Sequence, residues 1–364
     1  MLGRVLSSIR RSFWAFSLVA ILGFLSACAS LGLASNHLRP GHVFQDCAHC
    51  PQMIVVPAGM AMLGSPESDP MRRPDEEPVQ RIMIEEAFAV GRYEVTVGEL
   101  EAFVRATGRD IGGDCLTDRN VTGNWAHDAG TTFRDPGFSQ TQSHPVACVS
   151  WDDAQAYADW LSVQTGRDYR LLTELEWEYV ARADTSIGNL YPWGNDPASG
   201  CGYANAFDQS AMEKYGGMDT SGYTLFDPMR CRDGWLNTSP VGSLTANGFG
   251  VHDIIGNVSE WVGGCHTPSH DAQPAGESAP GAGACVRRVA KGGSWGTLAH
   301  NFRIGERLPY PATHRDDSIG IRVARSSLGN AGYSTSPIRA ASQGDSISWR
   351  CSCWRLGPTV TAIR

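Results

Sequence analysis

The stretch from Asn189 to Arg325 constrains the fold more than any other part of the chain, because it shows almost no helical periodicity. Short apolar runs alternate there with residues that favour turns, and the full chain contains 41 glycines, 20 prolines and 11 tryptophans. Turn residues between short apolar runs are typical of a loop-rich fold. The pattern therefore predicts short strands and ordered loops over this stretch, and no alternating array of strands and helices.

Three helices are predicted before this stretch. Each begins with a hydroxyl residue that can cap the helix and has an acidic residue three positions later, which is the capping-box spacing. The three pairs are Thr96 with Glu99, Ser150 with Asp153, and Thr173 with Glu176. Gly108 and Gly166 are expected to end the first two helices, and the third is expected to end near Ala183.

Strands are predicted nearer the N-terminus from short apolar runs. Residues 53–57 and 60–64 have the pattern of a hairpin closed by Ala58-Gly59, and residues 80–84 are typical of a further short strand. A polar, proline-rich loop over 65–78 precedes that last run. The strands are therefore expected to be short and separated by loops.

The first 28 residues have the organisation of a secretory signal. Arg4, Arg10 and Arg11 precede an apolar run over 13–25, and small residues then lead to Cys28. The apolar run is too short to span a bilayer comfortably as a permanent helix. The sequence Leu-Ser-Ala-Cys resembles the bacterial lipobox, in which the cysteine is diacylated and becomes the new N-terminus.

This N-terminus predicts that residues 1–27 are removed, that Cys28 is lipidated, and that residues 28–52 form a tether. An uncleaved membrane anchor is the alternative. Ala29 follows Cys28. A residue other than aspartate at this position resembles lipoproteins that are sorted to the outer membrane. We therefore expect a cell-envelope protein that is anchored by its lipid to the periplasmic face of the outer membrane, with the membrane as a partner through Cys28.

The cysteine count agrees with export. Eleven cysteines occur, and assigning one to the lipid leaves an even number, as an oxidising compartment favours. Three pairs that each bracket one loop-rich insertion are expected to form disulfides: Cys115 with Cys148, Cys201 with Cys231, and Cys265 with Cys285. Cys47 and Cys50 have the spacing of a redox or metal pair, but no second such pair accompanies them, so a local disulfide is favoured. The pairing of Cys351 and Cys353 stays open.

The charge balance excludes one class of partner. The net charge is −8 and no block of lysine or arginine follows the signal, so a nucleic-acid partner is not expected. Residues 326–364 are rich in serine and glycine and show no sustained periodicity, which predicts a disordered tail. The folded domain is therefore expected to end before this tail.

Eight short motifs occur in one fixed order through the chain. They are His144-Pro145-Val146, Val149-Ser150-Trp151, Arg170 to Glu178, Tyr191 to Gly194, Asn247 to Gly250, Gly256 to Trp261, Gly292 to Trp295, and Gly320-Ile321-Arg322. Each motif is a weak signal alone, but in this order they resemble the formylglycine-generating enzyme family, the sulfatase-modifying-factor domain. The resemblance covers residues 53–325 and implies that they form one domain. The resemblance implies an α+β fold of the C-type-lectin-like kind, with small antiparallel sheets, few helices and much irregular structure.

The resemblance also implies calcium as a structural cofactor in the irregular regions. Calcium is bound by several hard oxygen ligands, which include side-chain oxygens and backbone carbonyls. The first implied site uses the side chains of Asn205 and Asp233 with the carbonyls of Ala206 and Trp235. The second implied site uses the side chains of Asp253 and Glu260 with the carbonyls of Gly256 and Val258. For Asp253 and Glu260 the alternative is a pair of solvated or turn-capping acids.

Enzymes of the resembled family that convert a sulfatase cysteine to formylglycine bind Cu(I) with two cysteines, which follow the Gly-Gly-Ser-aromatic turn. No cysteine occurs here between Lys291 and Arg307. The first matching position is Thr297, and the second falls near Phe302. Neither side chain can supply a thiolate, so neither a copper cofactor nor copper-dependent formylglycine generation is expected.

The same segment is still expected to mark the functional surface. Its candidate residues are Ser294, Trp295, Thr297, His300, Arg303 and Arg307. His300 and His314 flank the lost copper position and could bind a metal, although histidines without such a role are more common. The charged residues Arg303, Arg307, Arg315, Arg322, Glu306, Asp316 and Asp317 either line a cleft for an acidic or peptide ligand or form a structural ion-pair network.

Three functions are compatible with this pattern. The first is a binding or accessory module that recognises a protein, peptide or glycan ligand in its cleft. The second is a periplasmic oxidoreductase with altered metal chemistry, since the resemblance extends to relatives that act in siderophore maturation or as iron-dependent oxidases without the cysteine pair. The third, formylglycine generation on sulfatases, is supported by the family resemblance alone. A retained scaffold without its thiolates favours the first.

Overall fold

The computed structural model describes residues 38–118, 125–183, 188–215, 229–272, 285–326 and 328. The predicted signal peptide, the predicted lipid attachment at Cys28 and nearly all of the predicted tail, with Cys351 and Cys353, lie outside the described residues. No helix within the described ranges is long and apolar enough to cross a membrane.

The three predicted helices form as α1 (Val97–Thr107), α2 (Trp151–Thr165) and α3 (Glu174–Arg182). All three capping boxes are made: the N-cap hydroxyl accepts the N3 backbone N–H, and the N3 carboxylate accepts the N-cap N–H. Gly108 and Gly166 end α1 and α2 in the left-handed conformation, with φ of 68° and 64°. The predicted starts and ends of these helices are confirmed.

One helix lies where none was predicted. α4 (Gln209–Tyr215) begins after Asp208, whose Oδ1 accepts the backbone N–H groups of Ser210 and Ala211 at 2.7 and 2.9 Å. A helix this short gives no readable periodicity, and capping marks its start instead. The expectation of strands and loops alone after Asn189 is therefore wrong at α4. Short 3-10 segments lie at Pro74–Glu76, Pro197–Gly202, His270–Ala272 and Ala299–Asn301.

The largest sheet is antiparallel and brings both ends of the domain together. Its strands lie in the order β1 (Val43–Phe44), β2 (Met53–Val56), β5 (Phe88–Gly91), β13 (Val323–Arg325) and β8 (Tyr169–Leu171). Alternate residues face opposite sides of a strand. Ile54, Val90 and Ala324 accordingly join one apolar cluster, and Met53, Ala89 and Val323 join another. Because β1 pairs with β2, part of the segment predicted as a tether belongs to the fold.

A second sheet carries the start of the candidate segment, which is residues 291–307. Its strands lie in the order β11 (Leu308–Tyr310), β10 (Arg288–Lys291), β9 (Ser259–Trp261) and β12 (Ile319–Ile321). β12 runs parallel to β9, while the other pairs are antiparallel. Two further hairpins are β3 (Gly59–Leu63) with β4 (Gln80–Ile84), and β6 (Cys115–Thr117) with β7 (Ala126–Asp128). β10 leads directly into Gly292, so this sheet positions the glycine turn.

The predicted hairpin between residues 53–57 and 60–64 is wrong. β2 pairs with β1 and β5, whereas β3 pairs with β4. All four residues of β2 are buried, which fits an inner strand with neighbours on both edges. Pro57 follows β2 and has no N–H for a ladder hydrogen bond, so it favours a crossing between sheets over a tight hairpin. The strand predicted over 80–84 is confirmed as β4.

The disulfides match the predicted pairing. Cys115–Cys148, Cys201–Cys231 and Cys265–Cys285 are present, and Cys47–Cys50 forms the favoured local disulfide. The first of these attaches β6 to the chain just before α2. It therefore fixes the β6–β7 hairpin, in which Leu116 forms a bridge with Asp316, the residue before Asp317.

Candidate functional site

A tight glycine turn follows β10. Gly292 and Gly293 have positive φ values of 95° and 68°, and a Cβ atom on Gly292 would lie 2.9 Å from the carbonyl oxygen of Ile254. The Ser294 N–H donates to Thr297 Oγ1 at 2.8 Å, and the Thr297 N–H donates to the Ser294 carbonyl at 2.8 Å. Local hydrogen bonds and close packing therefore fix the start of the candidate segment.

The resemblance places the two thiol positions at Thr297 and near Phe302, and both of these residues have other roles. Thr297 Oγ1 also lies 3.2 Å from Ser294 Oγ, so its hydroxyl is part of the turn. Phe302 is completely buried, and its ring lies 2.9 Å from the place a Cβ of Gly293 would take. Across the described ranges, four disulfides use all eight cysteines. No thiolate pair is therefore available in this part of the chain.

Trp295 belongs to an aromatic surface, which we define as Trp125, Phe138 and Trp295. The Trp295 ring centroid lies 6.4 Å from that of Trp125 and 5.5 Å from that of Phe138. Trp295 is 7% exposed, whereas Trp125 is 45% exposed. Trp295 Nε1 donates to the Asp317 carbonyl at 3.3 Å, and its backbone N–H donates to the Asn257 carbonyl at 2.9 Å. The surface thus presents an exposed indole next to a fixed, buried one.

Asp317 is a buried carboxyl group behind Trp295. It is 2% exposed, its Oδ2 lies 2.6 Å from Thr117 Oγ1, and its Oδ1 has no hydrogen-bond partner. Burial, followed by the charge of Asp316, raises the pKa of Asp317 to about 8. Thr117 Oγ1 also lies 3.2 Å from the Pro136 carbonyl, and a hydroxyl has only one hydrogen to donate. A proton on Asp317 makes both contacts full hydrogen bonds, so both observations indicate a neutral Asp317 at pH 7.

Arg303 and Arg307 are buried in ion pairs. Arg303 Nη1 lies 2.7 Å from Asp69 Oδ2 and 2.6 Å from Glu76 Oε2. Arg307 donates from Nε and Nη2 to the two carboxylate oxygens of Glu174, at 2.6 and 3.0 Å. These two arginines therefore belong to a structural ion-pair network, which is the alternative to a ligand cleft that the sequence left open.

The other charged candidates are also engaged. Glu306 accepts from Arg73 at 2.6 Å and contacts Arg303, Arg315 donates to Asp153 at 2.7 Å, Arg322 donates to Glu260 at 2.8 Å, and Asp316 accepts from the Ser318 hydroxyl at 2.5 Å. Arg322 is completely buried. The charged residues of the segment thus stabilise the scaffold.

The two candidate histidines lie in different surroundings. His314 stacks on Tyr310 with ring centroids 4.5 Å apart, and its Nε2 lies 3.6 Å from Asp316 Oδ2. His300 is half-buried, and burial together with the charge of Arg303 lowers its pKa. Among the residues that the structure describes, no group of three or more His, Cys, Asp or Glu side chains could hold a metal ion. The described structure therefore does not combine the two histidines with acids in such a centre.

The first implied calcium set comes together around Asp233. Its two carboxylate oxygens accept the backbone N–H groups of Ala206 and Trp235 at 2.9 and 2.8 Å. Asn205 donates from Nδ2 to the Asn237 carbonyl at 2.9 Å, while its Oδ1 is buried without a hydrogen-bond partner. Burial raises the pKa of Asp233 to about 6. Asn205 directly precedes Ala206, whose N–H donates to Asp233. The unsatisfied Asn205 amide oxygen near the Asp233 carboxylate fits a hard cation.

The second implied set also contains an unsatisfied oxygen. Asp253 Oδ2 accepts the Gly242 N–H at 2.6 Å, but Asp253 Oδ1 is buried without a partner. Both oxygens of Glu260 are in use, since Oε1 accepts from Arg322 at 2.8 Å and Oε2 accepts from Trp177 Nε1 at 2.7 Å. Gly256 and Val258 lie in the loop between Asp253 and Glu260. The unsatisfied Asp253 Oδ1 fits a hard cation, whereas each oxygen of Glu260 already accepts a hydrogen bond.

The sequence analysis missed three residues of this site. Trp125, Phe138 and Thr117 contact Trp295 or Asp317, and none of them was singled out. The available signal was a tryptophan at the end of Asn-Val-Thr-Gly-Asn-Trp, because a large aromatic residue in a polar loop often serves a binding surface. The predicted Cys115–Cys148 disulfide already indicated the neighbourhood of Thr117.

Comparison with known proteins agrees with this scaffold. The family model of the sulfatase-modifying factor enzyme 1-like domain matches residues 40–327. The formylglycine-generating enzyme of Mus musculus is 29% identical over 77% of this chain and 76% of that protein. The inactive C-alpha-formylglycine-generating enzyme 2 of Mus musculus is 27% identical over 81% of this chain and 90% of that protein. The solved structure of PvdO from Pseudomonas aeruginosa is 36% identical, with a TM-score of 0.64 over 79% of this chain and 98% of PvdO. Because the family model spans most of the sequence, this chain belongs to the sulfatase-modifying factor enzyme 1-like domain family.

Proposed function

We propose that this chain is a binding or accessory module of the cell envelope that does not generate formylglycine. The observation that carries the proposal is that the residues at or near the two expected thiolate positions, Thr297 and Phe302, have structural roles. Thr297 closes the glycine turn with its hydroxyl, and Phe302 fills the core beside Gly293. Cu(I) is bound by soft sulfur ligands, and neither a turn hydroxyl nor a buried phenyl ring can replace them.

The ordered surroundings of these positions support a role for the scaffold. The glycine turn, the ion pairs of Arg303 and Arg307 and the four disulfides are all in place. A similar relative bears the name of an inactive formylglycine-generating enzyme, so the scaffold exists in the family without that activity. These features favour a binding role on a stable scaffold.

The aromatic surface supports a ligand in this place. Trp125 is 45% exposed to solvent, and two hydrogen bonds fix the neighbouring Trp295. Exposed tryptophans contribute a large share of binding energy at interfaces, and side chains that are already ordered lose little entropy on binding. The ligand classes that fit are a protein or peptide and a glycan, because both can stack on an indole.

The decisive experiment tests the excluded chemistry. The mature domain is incubated with copper and a peptide that contains Cys-x-Pro-x-Arg, and the mass of the peptide is measured. We expect no formylglycine, with the mouse formylglycine-generating enzyme as the positive control. Formylglycine formed by this chain would overturn the proposal.

Metal analysis separates the binding role from an oxidoreductase with altered metal chemistry. The purified mature domain is expected to contain no stoichiometric copper, because no cysteine occurs between Lys291 and Arg307. No stoichiometric iron is expected either, because no group of three or more His, Cys, Asp or Glu side chains in the described ranges could hold a metal ion. Stoichiometric copper or iron would favour the oxidoreductase instead.

The proposed place of action depends on the lipid. A diacylated Cys28 would hold the module at the membrane, with the domain on the periplasmic side. Labelled palmitate should enter the wild-type chain and should not enter a Cys28→Ser variant, which should also leave the membrane fraction. Equal labelling of both chains would contradict the anchor.

A further inference from the structure

Arg288, the first residue of β10, is a buried guanidinium without a carboxylate partner. Six arginines of the described ranges are buried. Five pair with an acid: Arg182 with Glu178, Arg303 with Glu76, Arg307 with Glu174, Arg322 with Glu260, and Arg325 with Asp46. Arg288 is 1% exposed and donates one hydrogen bond, from Nη1 to the Gly264 carbonyl at 2.8 Å. A buried charge without a counter-ion is unfavourable, so this site calls for an anion.

The unused donors of Arg288 have the arrangement that binds a carboxylate. Its Nε and Nη2 atoms are buried and have no hydrogen-bond partner. They share one edge of the guanidinium, and this edge can donate two parallel hydrogen bonds to one carboxylate. Arg307 uses the same two atoms for the two oxygens of Glu174. Arg288 therefore presents the donors of that pair without its acceptor.

Trp151 fixes the orientation of this edge. The Cζ atom of Arg288 lies 3.6 Å from the centroid of the Trp151 ring, which is a close cation–π contact. The indole is itself fixed, because Trp151 Nε1 donates to the Val262 carbonyl at 2.8 Å. With Gly264 holding Nη1, the guanidinium is held on one face and at one end. The remaining edge is preorganised for a ligand.

We propose that Arg288 and Trp151 form a binding site for an organic carboxylate, in which Nε and Nη2 of Arg288 donate to the two carboxylate oxygens. The carboxylate belongs either to a small acid or to the C-terminus of a peptide, which share this chemistry. Val286 and Arg287 are exposed, whereas Nε and Nη2 of Arg288 are covered, so a carboxylate reaches them only by displacing what covers them. Asp152 is within electrostatic reach of Arg288 but makes no hydrogen bond with its free edge.

Calorimetric titration of the mature chain with sodium benzoate tests the site, with sodium chloride at the same ionic strength as the control. We expect saturable binding of benzoate and a rise in Tm that chloride does not produce. Two peptides of one sequence, with free and amidated C-termini, distinguish the sources. At least tenfold tighter binding of the free acid supports a peptide terminus, whereas equal weak binding of both peptides beside tight benzoate binding supports a small acid.

Arg288→Lys keeps the positive charge and removes the paired donors, so it should weaken benzoate binding at least tenfold. Arg287→Lys is the matched control, because Arg287 is the exposed neighbour, and it should bind as the wild type does. Should Arg288→Lys fail to fold, NMR of the arginine Nε–H groups in the wild type gives a second measurement. Benzoate should then shift one such signal, and that signal should persist in Arg287→Lys.

Three results would overturn the proposal. The first is benzoate binding by folded Arg288→Lys with unchanged affinity, and the second is a wild-type chain that binds no carboxylate. The third concerns Glu277, which lies in the segment 273–284 outside the described residues. If Glu277→Gln lowers the Tm and only this variant binds benzoate, the chain itself supplies the carboxylate and no external ligand is needed.

Discussion

Lys291 Nζ lies 2.8 Å from Glu178 Oε1, and both side chains are completely buried. The pair joins the start of the candidate segment to α3, and Glu178 Oε2 also accepts the Gly64 N–H at 2.9 Å. Burial by itself would raise the pKa of Glu178, but the charges of Lys291 and Arg182 outweigh burial and lower it. The glycine turn therefore depends on a charge pair that water does not reach.

Replacing Lys291 with methionine should lower the free energy of unfolding by about 3–5 kcal/mol at pH 7, because Glu178 then loses a partner in the core. A carboxylate with a lowered folded pKa stabilises the fold above its unfolded pKa and ceases to do so as the pH falls. Urea unfolding at several pH values should therefore show the gap between wild type and Lys291→Met narrowing below about pH 4.5. Adding Glu178→Gln to the variant should recover part of the loss. A gap independent of pH would contradict this account.

Arg303 should act on stability, because Asp69 and Glu76 enclose it. Arg303→Met leaves two buried carboxylates without their cation and should cost about 3–5 kcal/mol of unfolding free energy. Arg134 is the control, since it pairs with Glu101 at 2.5 Å on the surface, and Arg134→Met should cost less than about 1 kcal/mol. Both values come from urea unfolding at pH 7. Similar losses for the two variants would argue against the buried network.

Asp317 predicts an opposite dependence on pH. Its folded pKa of about 8 lies above the ordinary 3.8, so the folded state binds a proton that the unfolded state releases. Its contribution to stability is therefore complete below about pH 4 and declines as the pH rises to about 8. Asp317→Asn keeps the shape without the charge, and at pH 8 it should be more stable than wild type by at least about 1 kcal/mol. Thermal unfolding from pH 5 to pH 9 checks this, and a constant difference across that range would contradict a neutral Asp317.

The sequence predicted best what depends on neighbouring residues. A capping hydroxyl and an acid three positions later form a local unit, so Thr96, Ser150 and Thr173 marked their helices correctly. Strand pairing is not local, and the run that became β2 could not reveal β1 and β5 as its partners. The short helix α4 was not predicted, because only the capping by Asp208 marks its start and it is too short to show helical periodicity.

The sequence identified which segment of the chain forms the site. It did not reveal which residues from other parts of the chain contact that segment. The lack of cysteine between Lys291 and Arg307 could be read directly. Whether Arg303 was buried depended on Glu76, which lies 227 residues away and shows no pattern that joins the two. Trp125 was missed for the same reason, since its contact with Trp295 crosses between loops.

Calcium is the prediction that links the family to the unsatisfied oxygens. Asn205 Oδ1 and Asp253 Oδ1 are both buried without a partner, and bound Ca²⁺ would satisfy them. Adding a strong chelator should lower the Tm, and excess Ca²⁺ should restore it, because a ligand at a hundredfold excess over its Kd stabilises the fold by about 2.7 kcal/mol. Asn205→Ala and Asp253→Asn should each reduce this calcium-dependent change. Glu86→Gln, at an exposed position outside both sets, should keep it. A wild-type Tm that does not respond to the chelator would contradict both sites, while a loss in one variant alone would assign the ion to that set.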